Sequence, residues 1–232
     1  MKNKFLKRKL FCFTPELALA TFIVEISLAI YVFIKDRTSK IGKIAIFTLI
    51  LLSMFQLSEY LLCAGYDNYF WHLVGGLSIT FLPAIGLHLV SVLTGRKILH
   101  RIFYSFGIIF CLMMIFIPGV ITGATCAGNY VVFRTLTYDL VSIYKYYYYL
   151  GLTLTVIEAL IGLRMFKDDP LKRKLLGSMV LGYLSFMGPT SVIILIPSFG
   201  LKSLPSVLCG FAVIFALILA FVIVPTAKKL NI

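Results

Sequence analysis

"TLILLSMFQLSEYLLCAG", residues 48–65, is the stretch from which the fold can be read. It is apolar enough to lie in a lipid bilayer, yet it carries Gln56 and Glu59 within one helical turn of each other. A carboxylate at mid-bilayer costs about 2.5–3.5 kcal/mol on insertion scales, so it needs a partner, a proton or a wet cavity. On a helix, Ser53, Gln56, Glu59 or Tyr60, and Cys63 follow three- and four-residue steps and share one face. That face must point into a bundle, forming a polar stripe that rises toward the end bearing Cys63.

The remainder of the chain repeats the apolar pattern. Its 232 residues are 60% hydrophobic and 13% charged, with a mean hydropathy of +1.00, outside the composition of a soluble domain. About 20 apolar residues cross the hydrocarbon core as helix. Seven such spans are predicted, at roughly 13–34, 43–63, 70–94, 102–118, 141–163, 175–197 and 204–225. The expected architecture is all-α: one transmembrane domain over residues 1–232, a bundle of seven helices. The start, "MKNKFLKRKLFCF", resembles a signal peptide, but its apolar segment runs on to Ile34, so a retained first helix is expected. Thr14 as cap, Pro15 in the first turn and Glu16 at the positive end of the helix dipole suit that start. Residues 119–140 are expected to be a loop.

The net charge of +13 does not point to nucleic acid, because its distribution follows topology. Fourteen basic residues, among them Arg37, Lys40, Arg96, Arg101, Lys172 and Lys228, fall in links that share one side of a seven-span chain. Seven lie opposite, five of them in the N-terminal tail, or eight if Lys145 is included. The positive-inside rule therefore places the N-terminus outside and the C-terminus in the cytoplasm, here of a bacterial cytoplasmic membrane. Anionic membrane lipids are the expected partners of these charges. In this orientation Cys12, Cys63 and Cys126 reach the outer side, and the simplest disulfide joins Cys63 to Cys126.

Three acids are expected inside the spans: Glu25 halfway along the first, Glu59 one turn from the outer end of the second, and Glu158 past the middle of the fifth. The third span offers a facing surface in His72, Gly76, Thr80, Ala84 and His88, whose small members permit close helix contact. His72 starts its span at the level where Glu59 ends the second, so a Glu59–His72 pair is expected. His88 lies about 24 Å further along. The tyrosine run "SIYKYYYYL", residues 142–150, reads as an interfacial aromatic belt.

Several chemistries find no footing. A metal-dependent hydrolase needs three converging His, Asp or Glu ligands, and His72, His88 and His100 fall at different depths or outside the spans. A retinal Schiff base needs a lysine in the seventh span, and "LPSVLCGFAVIFALILAFVIV" has none. No metal or cofactor is implied. With no GxSxG motif, the reading leans away from an enzyme.

With these residues in view, the chain resembles an uncharacterised bacterial family of seven-helix membrane proteins of unknown function. The resemblance rests on Cys12-Phe13-Thr14 before the first span, Gln56-x-x-Glu59 in the second, Tyr138-Asp139 before the fifth, and Ser206-Val207-Leu208-Cys209 in the last. Tyr60 stands where that family usually has a Gly, and the sixth span, "GYLSFMGPTSV", lacks its His. The resemblance carries no activity with it, but it favours Cys12, Gln56, Glu59, Asp139 and Cys209 over their neighbours.

The expected function is binding or passage of a small solute or proton through a polar cavity open to the outer face. Gln56 and Glu59 would bind, His72 would titrate beside them, and Glu25 with Glu158 would relay at greater depth. The alternatives are a membrane-embedded enzyme acting on a lipid, and a sensor or assembly subunit with a separate partner.

Overall fold

The computed structural model describes residues 15–96, 98–126, 131–134, 138–194 and 204–230. Cys12 lies outside these residues. So do the side chains of Cys126, Asp139 and Cys209. Helix α1 (Pro15–Asp36) turns sharply into α2 (Lys40–Cys63). Ser39 makes the turn: its Oγ accepts from the Gly42 N–H at 2.8 Å and donates to Asp36 Oδ2 at 2.7 Å. Gly42 packs directly on the Asp36 carbonyl, where a Cβ would collide with it. Three residues of connection leave α1 and α2 antiparallel and in contact along their length.

The third span is two helices, α3 (Tyr69–Thr80) and α4 (Leu82–Thr94), where one was expected. Pro83 supplies the physical reason: it has no N–H, so the ladder cannot run through. Next to the Ile79 carbonyl that Pro83 cannot serve, the Thr80 carbonyl accepts from the Tyr147 hydroxyl at 2.8 Å. Helix α5 (Ile98–Phe116) follows, with Ile102, Phe106, Ile109, Leu112 and Phe116 exposed as a lipid-facing stripe. Residues 119–140 hold more than a loop. Strands β1 (Gly123–Cys126) and β2 (Val131–Arg134) form an antiparallel hairpin with Gly123 opposite Arg134, and it packs near α2 and α3.

Helix α6 (Tyr138–Met165) runs parallel to α4 along a rail of close contacts. Gly151 meets Pro83, the Gly86 position meets Thr155 and Tyr183, and Gly162 meets Thr94. Helix α7 (Pro170–Ile194) is capped by Asp169, which accepts from the N–H groups of Leu171 and Lys172. The last span is α8 (Leu204–Ile218), one π turn at Leu219–Ile223, and α9 (Val224–Lys229). Pro225 cannot bond back to the preceding turn, and the wider turn before it relieves the clash. Lys228 Nζ then donates to the Lys35 carbonyl at 2.8 Å and ties the end of α9 to the end of α1.

Among the described residues, seven helical spans are thus long and apolar enough to cross a membrane, and the chain is a seven-helix membrane protein. Its core joins all seven through Val32, Leu49, Leu89, Phe103, Leu152, Leu175 and Leu219. One end of the bundle carries the β-hairpin and Cys63; the other carries the basic links and is called the basic end below.

Candidate functional site

The polar stripe of α2 is buried as its pattern required. Thr48, Ser53, Gln56, Ser58 and Glu59 all lie inside, because α2 is enclosed by α1, α3, α4 and α8. Thr48 and Ser53 spend their hydroxyls on carbonyls of their own helix, Ile44 and Ile50. Gln56 has no such outlet. It is 2% exposed, and its Nε2 has no hydrogen-bond partner among the described residues.

Across the seam on α1, Glu25 is 0% exposed and neither carboxyl oxygen has a partner among the described residues. The turn at residues 37–39 sets Glu25 level with about residue 51 of α2, leaving Glu59 about 12 Å further along the axis. Side chains lean toward the N-terminus of their own helix. In an antiparallel pair, Glu25 and Glu59 therefore lean toward one another, with Gln56 on the stretch between them. A charge on Glu59 disfavours a second charge on Glu25.

Four of the five expected site residues, Glu25, Gln56, Glu59 and His72, are buried at the α1–α2 seam or at its hairpin end. The expected opening to the outer face is not seen among the described residues, and the group is occluded. The expected Glu59–His72 pair is not made. His72 Nε2 sits 2.7 Å from Oδ1 of Asp67, which is 65% exposed in the link just before the Asn68 cap of α3. The other ring nitrogen, Nδ1, is buried with no hydrogen-bond partner among the described residues. Asp67 lies outside the spans, where an argument from membrane depth does not reach. The signal lay in its position, immediately before a helix cap and five residues from a histidine.

Glu158 does not join this group. Its carboxylate meets Arg96 at 3.2 Å near the basic end, where left-handed Gly95 (φ 78°) turns the chain out of α4. It is an anchored acid and does not lie in line with Glu25. His88 and His100 are closer than their sequence positions suggested: their rings stack at 4.7 Å, 10° from parallel. His88 Nδ1 also lies 3.2 Å from the Tyr104 hydroxyl. Parallel rings cannot both aim an in-plane lone pair at one ion, so the pair does not read as a chelate. No three His, Cys, Asp or Glu residues gather as a metal site among the described residues.

The tyrosine run is half core and only half belt. Tyr147 bonds the Thr80 and Phe103 carbonyls, and Tyr144 the Thr80 hydroxyl. Tyr146 points away, 77% exposed. Cys63 is disulfide-bonded, while Cys111 is free and buried.

No family model matches the chain, and no curated protein is similar enough to it to count as a match.

Proposed function

We propose that the protein binds or passes a proton or small solute along the α1–α2 seam, without catalysing a covalent reaction. One observation carries this reading: among the described residues Glu25 is wholly buried with both oxygens unbonded, and Gln56, buried on the neighbouring helix, has an unbonded amide nitrogen. Unsatisfied polar atoms in an apolar interior are costly. Groups that serve only to glue helices together would have used those atoms on each other. Asp67 and His72 provide a route between solvent and the hairpin end of the seam, and opening of the occluded group toward either face completes a passage.

We place the chain in a bacterial cytoplasmic membrane with the hairpin end outside. The basic links support this orientation, and so does the oxidised state of Cys63 at the hairpin end, since disulfides persist in oxidising compartments. A Cys63–Cys126 bond would tie β1 to the end of α2, and Gln56 and Glu59 would remain the binding groups beneath it. Proteoliposomes holding a pH gradient test the reading. The wild type should dissipate the gradient, and Glu25→Gln with Glu59→Gln together should reduce the rate to that of empty vesicles. Unchanged dissipation in the double variant would remove passage from consideration. Ser39→Cys, in the basic turn, should react with an impermeant maleimide only after the cytoplasmic face is opened.

A further inference from the structure

We propose that Glu25 and Glu59 form a carboxyl pair holding one exchangeable proton, and that the Gln56 amide is the donor that stabilises Glu25 when the proton leaves it. This deepens the proposed function and rests on the same seam, but it names the species bound: a proton, not an organic solute.

The geometry supports a pair. Antiparallel packing tilts the two acids toward each other along facing helices, and a charge on Glu59 disfavours one on Glu25. Two carboxylates sharing a low-dielectric site cannot both ionise, as in the acid dyads where one proton serves two groups. Glu25 has no bonded donor among the described residues, so an unshared negative charge there is the least tolerable arrangement. The proton therefore rests on Glu25 while the seam is dry.

An independent observation comes from Gln56, which is not an acid. Its side chain is almost wholly buried, one turn from Glu59 toward Glu25, and its N–H is unused among the described residues. An ionised Glu25 needs such a donor. In the transfer, the O–H bond of Glu25 breaks and an O–H bond forms on Glu59 through one intervening water; Glu25 becomes a carboxylate as Glu59 becomes an acid. Net charge is unchanged, and no other reactant is required.

The described side chains around the seam are closely packed. Thr21, Leu28, Leu52 and Phe55 close the surroundings of the seam with buried side chains. The neighbouring cavity, lined by Thr48, Leu52, Tyr183, Phe186 and Phe215 among others, has a volume of about 30 Å³ and is apolar. At about 10–15 Å³ per water, it has room for two or three.

Infrared difference spectra of the full chain in lipid nanodiscs, recorded as pH is stepped, test the proposal. The wild type should show a protonated-carboxyl carbonyl band that disappears with rising pH. Glu25→Gln should abolish the band. Glu59→Gln should keep it but move its midpoint to lower pH, since the repelling neighbour is gone. Gln56→Leu should move the midpoint to higher pH. Should Glu25→Gln fail to fold, Glu59→Gln and Glu25→Asp carry the test, the latter shifting the band without removing it. A band indifferent to these substitutions overturns the pair, and so does a band that sodium removes at constant pH, which would mark a cation site. A titrating band without gradient dissipation leaves the pair standing and defeats passage. Dissipation without the band defeats the pair alone.

Discussion

Glu158 and Glu25 are both buried acids on membrane-spanning helices, and they are housed in opposite ways. Glu158 sits where α4 and α6 are held together by a glycine rail, and Arg96 meets it at 3.2 Å. Glu25 sits where α1 and α2 are held by a tight turn, and nothing described bonds its carboxyl. The first arrangement is a completed structural contact whose charge is neutralised in place. The second leaves a polar group unfinished in a dry seam, which a protein tolerates where the group has to gain or lose something. Burial alone does not separate the two; the partners do.

The largest effect should come from breaking the rail. A side chain at Gly86 collides with the Tyr183 hydroxyl and crowds Thr155, and overpacking of this kind typically costs about 1–3 kcal/mol, occasionally more. Gly86→Leu should fall at or above the top of that range in denaturant titrations in micelles. Gly177→Leu, on α7, where a Cβ meets nothing within 4 Å, should change stability by no more than about 0.5 kcal/mol. Equal losses at the two sites would mean that α4 and α6 are not packed through their glycines.

The next effect sharpens the contrast in sign. Arg96→Ala strands the buried Glu158 carboxylate. Arg96 is itself about half exposed, so the loss should be about 2 kcal/mol, between that of a surface pair and that of a fully buried one. Replacing both, Arg96→Leu with Glu158→Leu, should recover most of it. Glu25→Leu should instead stabilise the fold by about 1–2 kcal/mol, because it removes an unsatisfied group and strands no partner among the described residues. It should do so while abolishing the proton band, a trade of function for stability. A destabilised Glu25→Leu would show that the carboxyl makes a structural bond.

How far the sequence discloses this contrast follows from what each residue depends on. Seven spans are legible because hydrocarbon thickness demands about 20 apolar residues whatever the partner helices are. The stripe through Ser53, Gln56 and Glu59 is legible because helical spacing alone fixes a face. The break after Thr80 is not, although Pro83 is in plain view. Membrane helices often carry a proline without interruption, and the chain is interrupted here because Tyr147, 64 positions further on than Pro83, is placed to take the Thr80 carbonyl. Pairings that cross between helices fail for the same reason. His72 was expected beside Glu59 on depth alone, and depth does not distinguish that partner from Asp67, five residues away on an exposed link. The Arg96–Glu158 contact was hidden because it depends on α4 and α6 running in parallel side by side, which nothing local encodes.

The smallest effect concerns the tyrosine run, where residues adjacent in sequence separate into the two environments. Tyr146 is exposed and Tyr147 is buried with its hydroxyl at 2.8 Å from the Thr80 carbonyl. If the run were only an interfacial belt, Tyr146→Phe and Tyr147→Phe would be equivalent, each removing one hydroxyl at the headgroup level. In this fold they are not. Tyr147→Phe leaves a carbonyl at a proline break without its donor and should cost about 1–2 kcal/mol, while Tyr146→Phe should stay within about 0.5 kcal/mol of wild type. The Tyr147 loss should also be local, loosening hydrogen exchange around Phe81 and Leu82 while leaving the α1–α2 seam protected. Loosening of both regions together would mean that the helix break and the acid pair form a single cooperative unit, and the division between a finished and an unfinished half of the bundle would have to be redrawn.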